Sequence, residues 1–196
     1  LLENPLPTRQ VLDMAAEMEG HPDNAAASLY GGLVVVISRG TSFQSVRFDL
    51  PPLSVALVVP DVFLPTKVAR AVLPKQVPMC DAVFNLGRAA LVVQALQKGD
   101  LDLLAEVMDD RLHQPYRLKL IAGAEQAIEA ARRAGAAAVA LSGAGPSLIA
   151  FPRSGDSAAL AQAVQHSFAQ SNIKSRAWPL SVSPAGASAQ ILEQTP

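Results

Sequence analysis

The chain has 196 residues, of which 50% are apolar and 17% charged, with a formal net charge of −1. This composition is typical of a folded globular protein and excludes a disordered chain. Without a basic excess, nucleic acid and anionic membranes are poor candidates for the main partner, and no apolar run reaches the ~20 residues of a membrane span. The single cysteine, Cys80, excludes an internal disulfide and favours a reducing cytoplasm; we expect it to be a buried small residue.

The chain begins with "LLE" and no initiator methionine, which indicates a piece of a longer protein. Apolar residues then recur at helical spacing up to Met18. Thr8 is expected to cap this helix, because a threonine hydroxyl can accept a hydrogen bond from a free N–H group of the first turn. Gly20 is expected to end it.

A second short helix and a β-hairpin are expected next. Asp23 or Asn24 would begin the helix, because both residue types are common N-caps. The hairpin strands are rich in β-branched residues and turn at Arg39-Gly40. The expected ranges are 25–29 for the helix and 31–38 and 42–50 for the strands.

From Leu53 onward the predicted order is strand, helices, strand, glycine turn, strand, helix, strand. This is the β-α-β-β-α-β order of a ferredoxin-like fold, with extra helices in the first crossover. The expected strands are 53–61, the two arms of a hairpin over 136–151, and 173–182. The expected helical segments are 65–112, 116–135 ending at Gly135, and 156–172 capped by Asp156 or Ser157.

The fold class is therefore expected to be α+β, in two parts and a tail. Residues 1–52 lie outside the ferredoxin-like order and are interpreted as the end of another domain. Residues 53–182 form the ferredoxin-like domain with its helical insertion. Residues 183–196 are small and polar at first and are expected to be a loosely ordered tail.

The stretch "MEGHPDNAAASLYGG" concentrates polar side chains in one turn. Pro22 fixes its own φ and moves His21 away from helical geometry, so the chain must turn here. The turn presents His21, Asp23 and Asn24 at a helix start, where free N–H groups favour anions. A plain capping turn is the alternative, although a cap needs only one polar residue.

The glycine turn "LSGAGPS", residues 141–147, is a second candidate site. Successive backbone N–H groups in such a turn can form a nest for an anion. The alternative is a hairpin turn that uses glycine to reach positive φ. The turn lacks the Gly-Lys-Ser/Thr of a Walker phosphate loop.

Two arginines stand in apolar surroundings, Arg88 in "VFNLGRAALVV" and Arg117 in "QPYRLKLI". Asn85 and Arg88 are three residues apart and share a helix face. An arginine among apolar neighbours calls for a carboxylate or phosphate partner, which a guanidinium binds through two hydrogen bonds. The alternative is an arginine whose charged end reaches solvent from the surface.

Glu17 and Glu19 precede the polar turn and carry the hard oxygen ligands that Mg²⁺ prefers. The alternative is a solvated helix surface. His113 and His166 are expected to be surface residues without an assigned role.

Taken together, these stretches resemble the C-terminal two-thirds of the homoserine kinase family, within the GHMP superfamily of small-molecule kinases that includes galactokinase and mevalonate kinase. The segments that carry the resemblance are "AAEMEGHPDNAAASLYGGLVV", "VFNLGRAALVVQAL", "HQPYR" and "LSGAGPS". The resemblance extends to about residue 182. It implies that residues 1–52 end the ATP-binding domain and that residues 53–182 are the C-terminal domain.

The family's ATP-binding loop, Pro-x-x-x-Gly-Leu-Gly-Ser-Ser-Ala, lies upstream of this region in the family and does not occur in this sequence. The resemblance implies transfer of the γ-phosphoryl group of Mg-ATP to the side-chain hydroxyl of L-homoserine, a cytoplasmic step towards threonine. Phosphoryl transfer depends mainly on positioning and charge stabilisation. We expect this segment alone neither to bind ATP well nor to turn over. Dimeric relatives make a homodimer an expectation.

The resemblance also implies residue roles. His21, Asp23 and Asn24 would line the homoserine pocket, with Asn24 reaching the attacking hydroxyl and Asp23 lying near the amino group. Arg88 and Arg117 would clamp the substrate carboxylate.

Glu17 would be the ligand of Mg²⁺. The residues that would pack beside the phosphate loop are Ser142, Gly143, Gly145 and Ser147. No clear general base is visible; Asp23 is a candidate, and the family is thought to rely on in-line placement of the hydroxyl.

Two other readings stay open. Another kinase of the superfamily, acting on mevalonate or a sugar, is one of them; a substrate without a carboxylate would leave Arg88 and Arg117 unpaired. The other is a non-catalytic ferredoxin-like binding module without a nucleotide loop.

Overall fold

The structure is a computed structural model that describes residues 6–40 and 42–188. The expectations for the first residues of the chain and for the tail beyond residue 188 lie outside the described residues. The chain divides into two compact units. The first unit contains the described residues up to Leu50 and those from Ser183 onward, and the second unit is Pro51–Val182.

The first unit consists of two helices and a hairpin: α1 is Thr8–Glu19, α2 is Asp23–Tyr30, β1 is Leu33–Arg39 and β2 is Ser42–Phe48. β1 and β2 pair antiparallel, with Val35 opposite Val46. The hairpin is confirmed, and Gly40 takes a φ of 65° in the expected turn.

Both helix starts in the first unit differ from the sequence prediction. The N-caps are Pro7 and Pro22, and neither helix has a side-chain cap. The Pro7 carbonyl accepts from the N–H groups of Gln10 and Val11, so Thr8 already lies inside α1. The Pro22 carbonyl likewise accepts from Ala26 N–H, which places Asp23 inside α2. Proline preceding a first turn explains both shifts, because its carbonyl can accept although it has no N–H to offer.

The second unit carries a four-stranded antiparallel sheet in the order β4-β5-β3-β6. Its strands are β3 Ser54–Pro60, β4 Ala136–Leu141, β5 Leu148–Pro152 and β6 Ser175–Ser181. Its helices are α3 Thr66–Ala71, α4 Met79–Lys98, α5 Leu101–Val107, α6 Gln114–Arg117, α7 Ala124–Arg133 and α8 Ser157–Gln170. The order of elements and strands is that of a ferredoxin-like domain with helices inserted after its first strand, so the α+β prediction is confirmed.

Both faces of this sheet are covered, because successive strand residues point to opposite faces. Val58 of β3 packs in a core with Ile128 of α7 and Phe168 of α8. Val55 of the same strand packs instead in a second core with Leu104 of α5. The sheet therefore holds α7 and α8 on one face and α4 and α5 on the other.

The helix expected over 116–135 is wrong in one respect, because the chain breaks it in the middle. α6 ends at Arg117, a short 3₁₀ turn covers Leu118–Leu120, and α7 begins only at Ala124. Gly123 takes a φ of 74°, a left-handed conformation that a helix interior does not use. The break leaves Arg117 at the end of a short helix of its own.

Residues 183–188, the described part of the expected tail, make hydrogen bonds within the first unit. Ser183 and Ala187 pair by backbone hydrogen bonds with Gly32 and Ser28 in the first unit. The Arg47 guanidinium donates to the carbonyl of Pro184 at 2.8 Å. The boundary between the two compact units lies at Leu50–Pro51.

α4 differs from expectation in what it exposes. Cys80 in its first turn is exposed rather than buried. Only part of this helix packs, and its exposed surface also includes apolar side chains such as Met79 and Leu86. By length and composition alone α4 could cross a membrane. This is weak evidence of a membrane span, because α4 packs against α5.

Asp156 caps α8, as one of the two expected residues, by accepting from Ala159 N–H at 2.9 Å. Asp156→Ala is expected to lower the free energy of unfolding by about 1 kcal/mol, because a first-turn N–H loses its acceptor. Urea unfolding of the full-length protein measures this. Asp156→Asn is the matched control, since asparagine caps about as well; an equal loss in both variants would contradict the capping role.

Candidate active site

The polar turn of the first unit joins α1 to α2. His21 is half-buried, and its Nδ1 lies 2.6 Å from Oδ1 of Asp23. The contact does not have hydrogen-bond geometry, because His21 Nδ1 has no hydrogen-bond partner among the described residues, and it is therefore electrostatic. Asp23 and Asn24 are exposed at the start of α2, and Asn24 N–H donates to Asp23 Oδ1 at 2.9 Å. The structure therefore brings His21, Asp23 and Asn24 together.

The pKa of Asp23 lies below its ordinary value. Partial burial acts to raise it, but the Asn24 N–H and the neighbouring His21 together favour the carboxylate more strongly. Asp23 is consequently ionised at neutral pH. A carboxylate of lowered pKa suits the binding of a cation better than the abstraction of a proton.

Glu17 is exposed on α1, one turn before the polar turn. Within the described ranges, no group of three or more His, Cys, Asp or Glu side chains could hold a metal ion. A single carboxylate still fits Mg²⁺, because this ion is commonly bound through one or two protein carboxylates, with water and substrate phosphates as its other ligands.

Arg117 in the second unit is half-buried and held from three directions. Its Nε donates to the carbonyl of Ala69 at 3.0 Å, and its Nη1 donates to the carbonyl of Gly143 at 3.5 Å. Nη1 also lies 3.3 Å from Nδ1 of His113. Two of the expected site residues, Arg117 and Gly143, are therefore neighbours.

The glycine turn folds partly on itself. Ser142 N–H donates to the Ser147 carbonyl at 2.8 Å, and Gly145 N–H donates to the Ser142 carbonyl at 3.1 Å. Gly143 and Gly145 both have positive φ, 60° and 82°. These features fit the hairpin alternative. The N–H groups of Ser142 and Gly145 are used within the turn, so only those of Gly143 and Ala144 do not take part in these two hydrogen bonds.

Arg88 is half-buried on α4, and its guanidinium carbon lies 3.4 Å from the ring centroid of Phe84. The guanidinium carbon of Arg111 lies 3.8 Å from the same centroid. Two groups this close to one centroid avoid overlap only on opposite faces of the ring, so the two arginines enclose Phe84. The buried Nε of Arg88 has no hydrogen-bond partner among the residues that the structure describes.

Asn85 does not pair with Arg88, its neighbour on the helix. Its side-chain nitrogen donates to Asp110 at 2.6 Å, and its oxygen accepts from Arg111 N–H at 2.9 Å. Arg88 contacts Phe84, whereas Arg117 contacts Ala69, His113 and Gly143. The structure thus holds the two arginines in separate surroundings.

Sequence reasoning missed two residues near Arg117, namely His113 and Asp110. His113 is half-buried rather than a surface residue, because Asp110 and Arg117 both contact it. The side chain of Asp110 is only 8% exposed. Arg70 follows Ala69, the residue whose carbonyl accepts from Arg117, and its own side chain is exposed. The sequence offered one signal for Asp110: in "DDRLHQPYR" it precedes a helix start that contains a proline, where an acid is typical.

Comparison with known proteins first defines a class. Residues 92–170 match the family model described as GHMP kinases C terminal, in agreement with the ferredoxin-like sheet and its helices. Leishmania major mevalonate kinase, at 20% identity and a TM-score of 0.66, shares the fold. The second unit therefore has the fold of a GHMP kinase C-terminal domain.

The particular relatives are homoserine kinases, which confirms the resemblance. The Moorella thermoacetica homoserine kinase is 44% identical over 89% of this chain and 59% of its own length. That of Prochlorococcus marinus MIT 9515 is 39% identical over 95% of this chain and 60% of its own. The solved homoserine kinase of Cytophaga hutchinsonii superposes with a TM-score of 0.87 at 32% identity, covering 94% of this chain and 61% of its own. The chain thus spans about 60% of these relatives.

Proposed function

We propose that the protein containing this chain is a homoserine kinase, which transfers the γ-phosphoryl group of ATP to the side-chain hydroxyl of L-homoserine. The observation that carries the proposal is the identity of 38–44% to homoserine kinases along 89–98% of the chain. On this proposal the enzyme is cytoplasmic and serves threonine biosynthesis. The first unit then ends the ATP-binding domain, and a homodimer is the expected assembly.

The polar turn would bind the reacting end of the substrate. Asp23, ionised by its lowered pKa, suits the ammonium group of homoserine. Asn24, exposed beside it, offers an amide to the attacking hydroxyl. His21 would complete this wall. Holding the hydroxyl in line with the γ-phosphorus contributes most of the rate in such a reaction, so no strongly basic side chain is required.

The second unit would bind the substrate carboxylate. The Nε of Arg117 donates to Ala69 and its Nη1 contacts Gly143 and His113, which leaves Nη2 for a carboxylate. Arg88 would supply a second cation, supported by its buried, unpartnered Nε. Arg70 is an exposed arginine next in sequence to Ala69, and it serves as a comparison for Arg88.

Glu17 would hold Mg²⁺ together with the phosphates of ATP. When bound, this ion neutralises the negative charge of the transferred group. Ser142, Gly143, Gly145 and Ser147 would shape the pocket beside those phosphates. The sequence contains no Pro-x-x-x-Gly-Leu-Gly-Ser-Ser-Ala loop, so we propose that this segment alone is inactive.

The proposal is tested by supplying the full-length protein with Mg-ATP and separate alcohols: L-homoserine, mevalonate and galactose. Phosphorylation of homoserine in strong preference to the others is expected. Turnover of mevalonate or galactose without homoserine would overturn the substrate assignment. Failure with every alcohol would favour the non-catalytic binding module.

Arg88→Ala in the full-length enzyme is expected to raise KM for L-homoserine about tenfold, or ~1.4 kcal/mol, and to leave KM for ATP nearly unchanged. The effect is moderate because the guanidinium also stacks on Phe84. Steady-state kinetics with each substrate varied in turn provide the measurement. Arg70→Ala is the matched comparison: an unchanged KM in Arg88→Ala with a raised KM in Arg70→Ala would transfer the role to Arg70.

A further inference from the structure

A buried carboxylate organises the loop that leads to Arg117. The two oxygens of Asp110 accept from the N–H groups of Leu112, His113 and Gln114 at 3.1, 2.7 and 2.6 Å. Asp110 also accepts from the side chain of Asn85 at 2.6 Å. This one side chain therefore fixes the start of α6 and ties it to α4.

His113 connects this carboxylate to Arg117. Its Nδ1 lies 3.3 Å from Arg117 Nη1, and its Nε2 lies 3.9 Å from Asp110 Oδ1. A guanidinium can only donate hydrogen bonds, so Nδ1 must accept, and the ring proton belongs on Nε2, facing Asp110. The contacts define one tautomer of a neutral imidazole.

The surroundings of His113 favour that neutral form. Burial lowers the pKa of His113 and the Arg117 cation lowers it further, while Asp110 acts in the opposite direction and is outweighed. A neutral ring at pH 7 keeps the lone pair that Arg117 needs. Burial acts to raise the pKa of Asp110, but hydrogen bonds from the backbone N–H groups of Gln114 and His113 and from the side chain of Asn85 together lower it, so Asp110 remains ionised.

The imidazole contact is separate from the capping of α6. The backbone of His113 donates to Asp110, whereas its side chain is free to serve Arg117. Ala69 and Gly143 hold the guanidinium at Nε and Nη1, and His113 meets Nη1 from α6 itself. Nη2 makes no hydrogen bond within the described residues, so these contacts leave this one nitrogen to receive an anion.

We propose that His113, oriented by Asp110, is a positioning residue that sets Arg117 for the substrate carboxylate and thereby determines the preference for a carboxylated amino alcohol. This inference rests on the proposed homoserine kinase function. A positioned guanidinium loses little freedom on binding, whereas a freed one must be ordered by the substrate itself. The contribution of His113 therefore concerns the carboxylate and not the hydroxyl.

The test uses 3-amino-1-propanol, called aminopropanol below, which keeps the amino and hydroxyl groups of homoserine and lacks its carboxylate. In the full-length enzyme, His113→Ala is expected to lower kcat/KM for L-homoserine about tenfold, mainly through KM. The value for aminopropanol should stay unchanged, so the preference for homoserine falls by the same factor. Where aminopropanol turns over too slowly, its inhibition constant takes the place of kcat/KM.

His113→Asn is the matched control, because its amide oxygen lies near the position of Nδ1 and can accept from Arg117; its preference should return close to the parent value. His113→Gln places its amide nearer Nε2 and replaces the alanine variant if that one fails to fold. An equal loss with both substrates, or no loss with either, would overturn the positioning role. A parent enzyme that fails to phosphorylate homoserine would overturn the proposed function instead.

Discussion

Arg117→Ala in the full-length enzyme is expected to raise KM for L-homoserine by about 30-fold or more, equivalent to ~2–5 kcal/mol, because it removes the partner of a desolvated charge pair. Arg117 is half-buried and held by Ala69, Gly143 and His113, so its position is set before substrate arrives. KM for ATP should change little. Initial rates with each substrate varied in turn measure both constants.

Two further variants make this result specific. Arg117→Lys keeps the charge and loses the planar fork of donors, so it should recover only part of the affinity for homoserine. Arg133→Ala removes an exposed arginine from the last turn of α7 and should leave both constants unchanged. An unaltered homoserine KM in Arg117→Ala would refute a carboxylate role, and equal increases in both KM values would indicate a general disturbance of the site.

The elements that the sequence predicted correctly are those encoded by local patterns. The hairpin β1-β2 follows from two β-branched runs around a glycine turn, and α8 follows from a capping aspartate and helical spacing. The ferredoxin-like sheet then follows from the order of elements, because few topologies accommodate that order. Each of these inferences depends on residues close together in the chain or on connectivity alone.

The errors arise where distant residues decide the outcome. His113 is half-buried because Asp110 and Arg117 enclose it, and Arg117 in turn reaches Ala69, far away in sequence. The break in the helix over 116–135 at Gly123 fits the same explanation. There, a Cβ would come within 3.1–3.2 Å of Ser171 and Ile173, residues beyond the sheet hairpin. Local spacing contains no information on such contacts.

The site prediction divides along the same line. The polar turn was recognisable because His21, Asp23 and Asn24 are nearly consecutive, and the structure places His21 against Asp23. Choosing among arginines was harder, since an apolar helix face does not show what its charged residue meets. Arg88 meets the ring of Phe84, whereas Arg70 adjoins the carbonyl that anchors Arg117. The kinetics of Arg88→Ala and Arg70→Ala must therefore decide which arginine binds the substrate carboxylate together with Arg117.

Phe168→Ala is expected to lower the free energy of unfolding of the second unit by about 3–5 kcal/mol. Phe168 lies on α8, is 0% exposed and belongs to the core between the sheet, α7 and α8. Truncation removes buried apolar surface and leaves a cavity that the surrounding strands cannot fill, because the sheet is fixed by its hydrogen-bond ladder. Urea unfolding of the full-length protein, with amide hydrogen exchange read in α8, measures the loss.

Phe63→Ala is the matched control, because it deletes the same side chain from a residue that is 94% exposed. Its effect on unfolding should lie within about 0.5 kcal/mol of zero. A loss for Phe168→Ala no larger than that for Phe63→Ala would mean that α8 does not pack on the sheet as described. Destabilisation confined to Phe168→Ala would instead show that this unit depends on the core between the sheet, α7 and α8, on the face opposite α4 and α5.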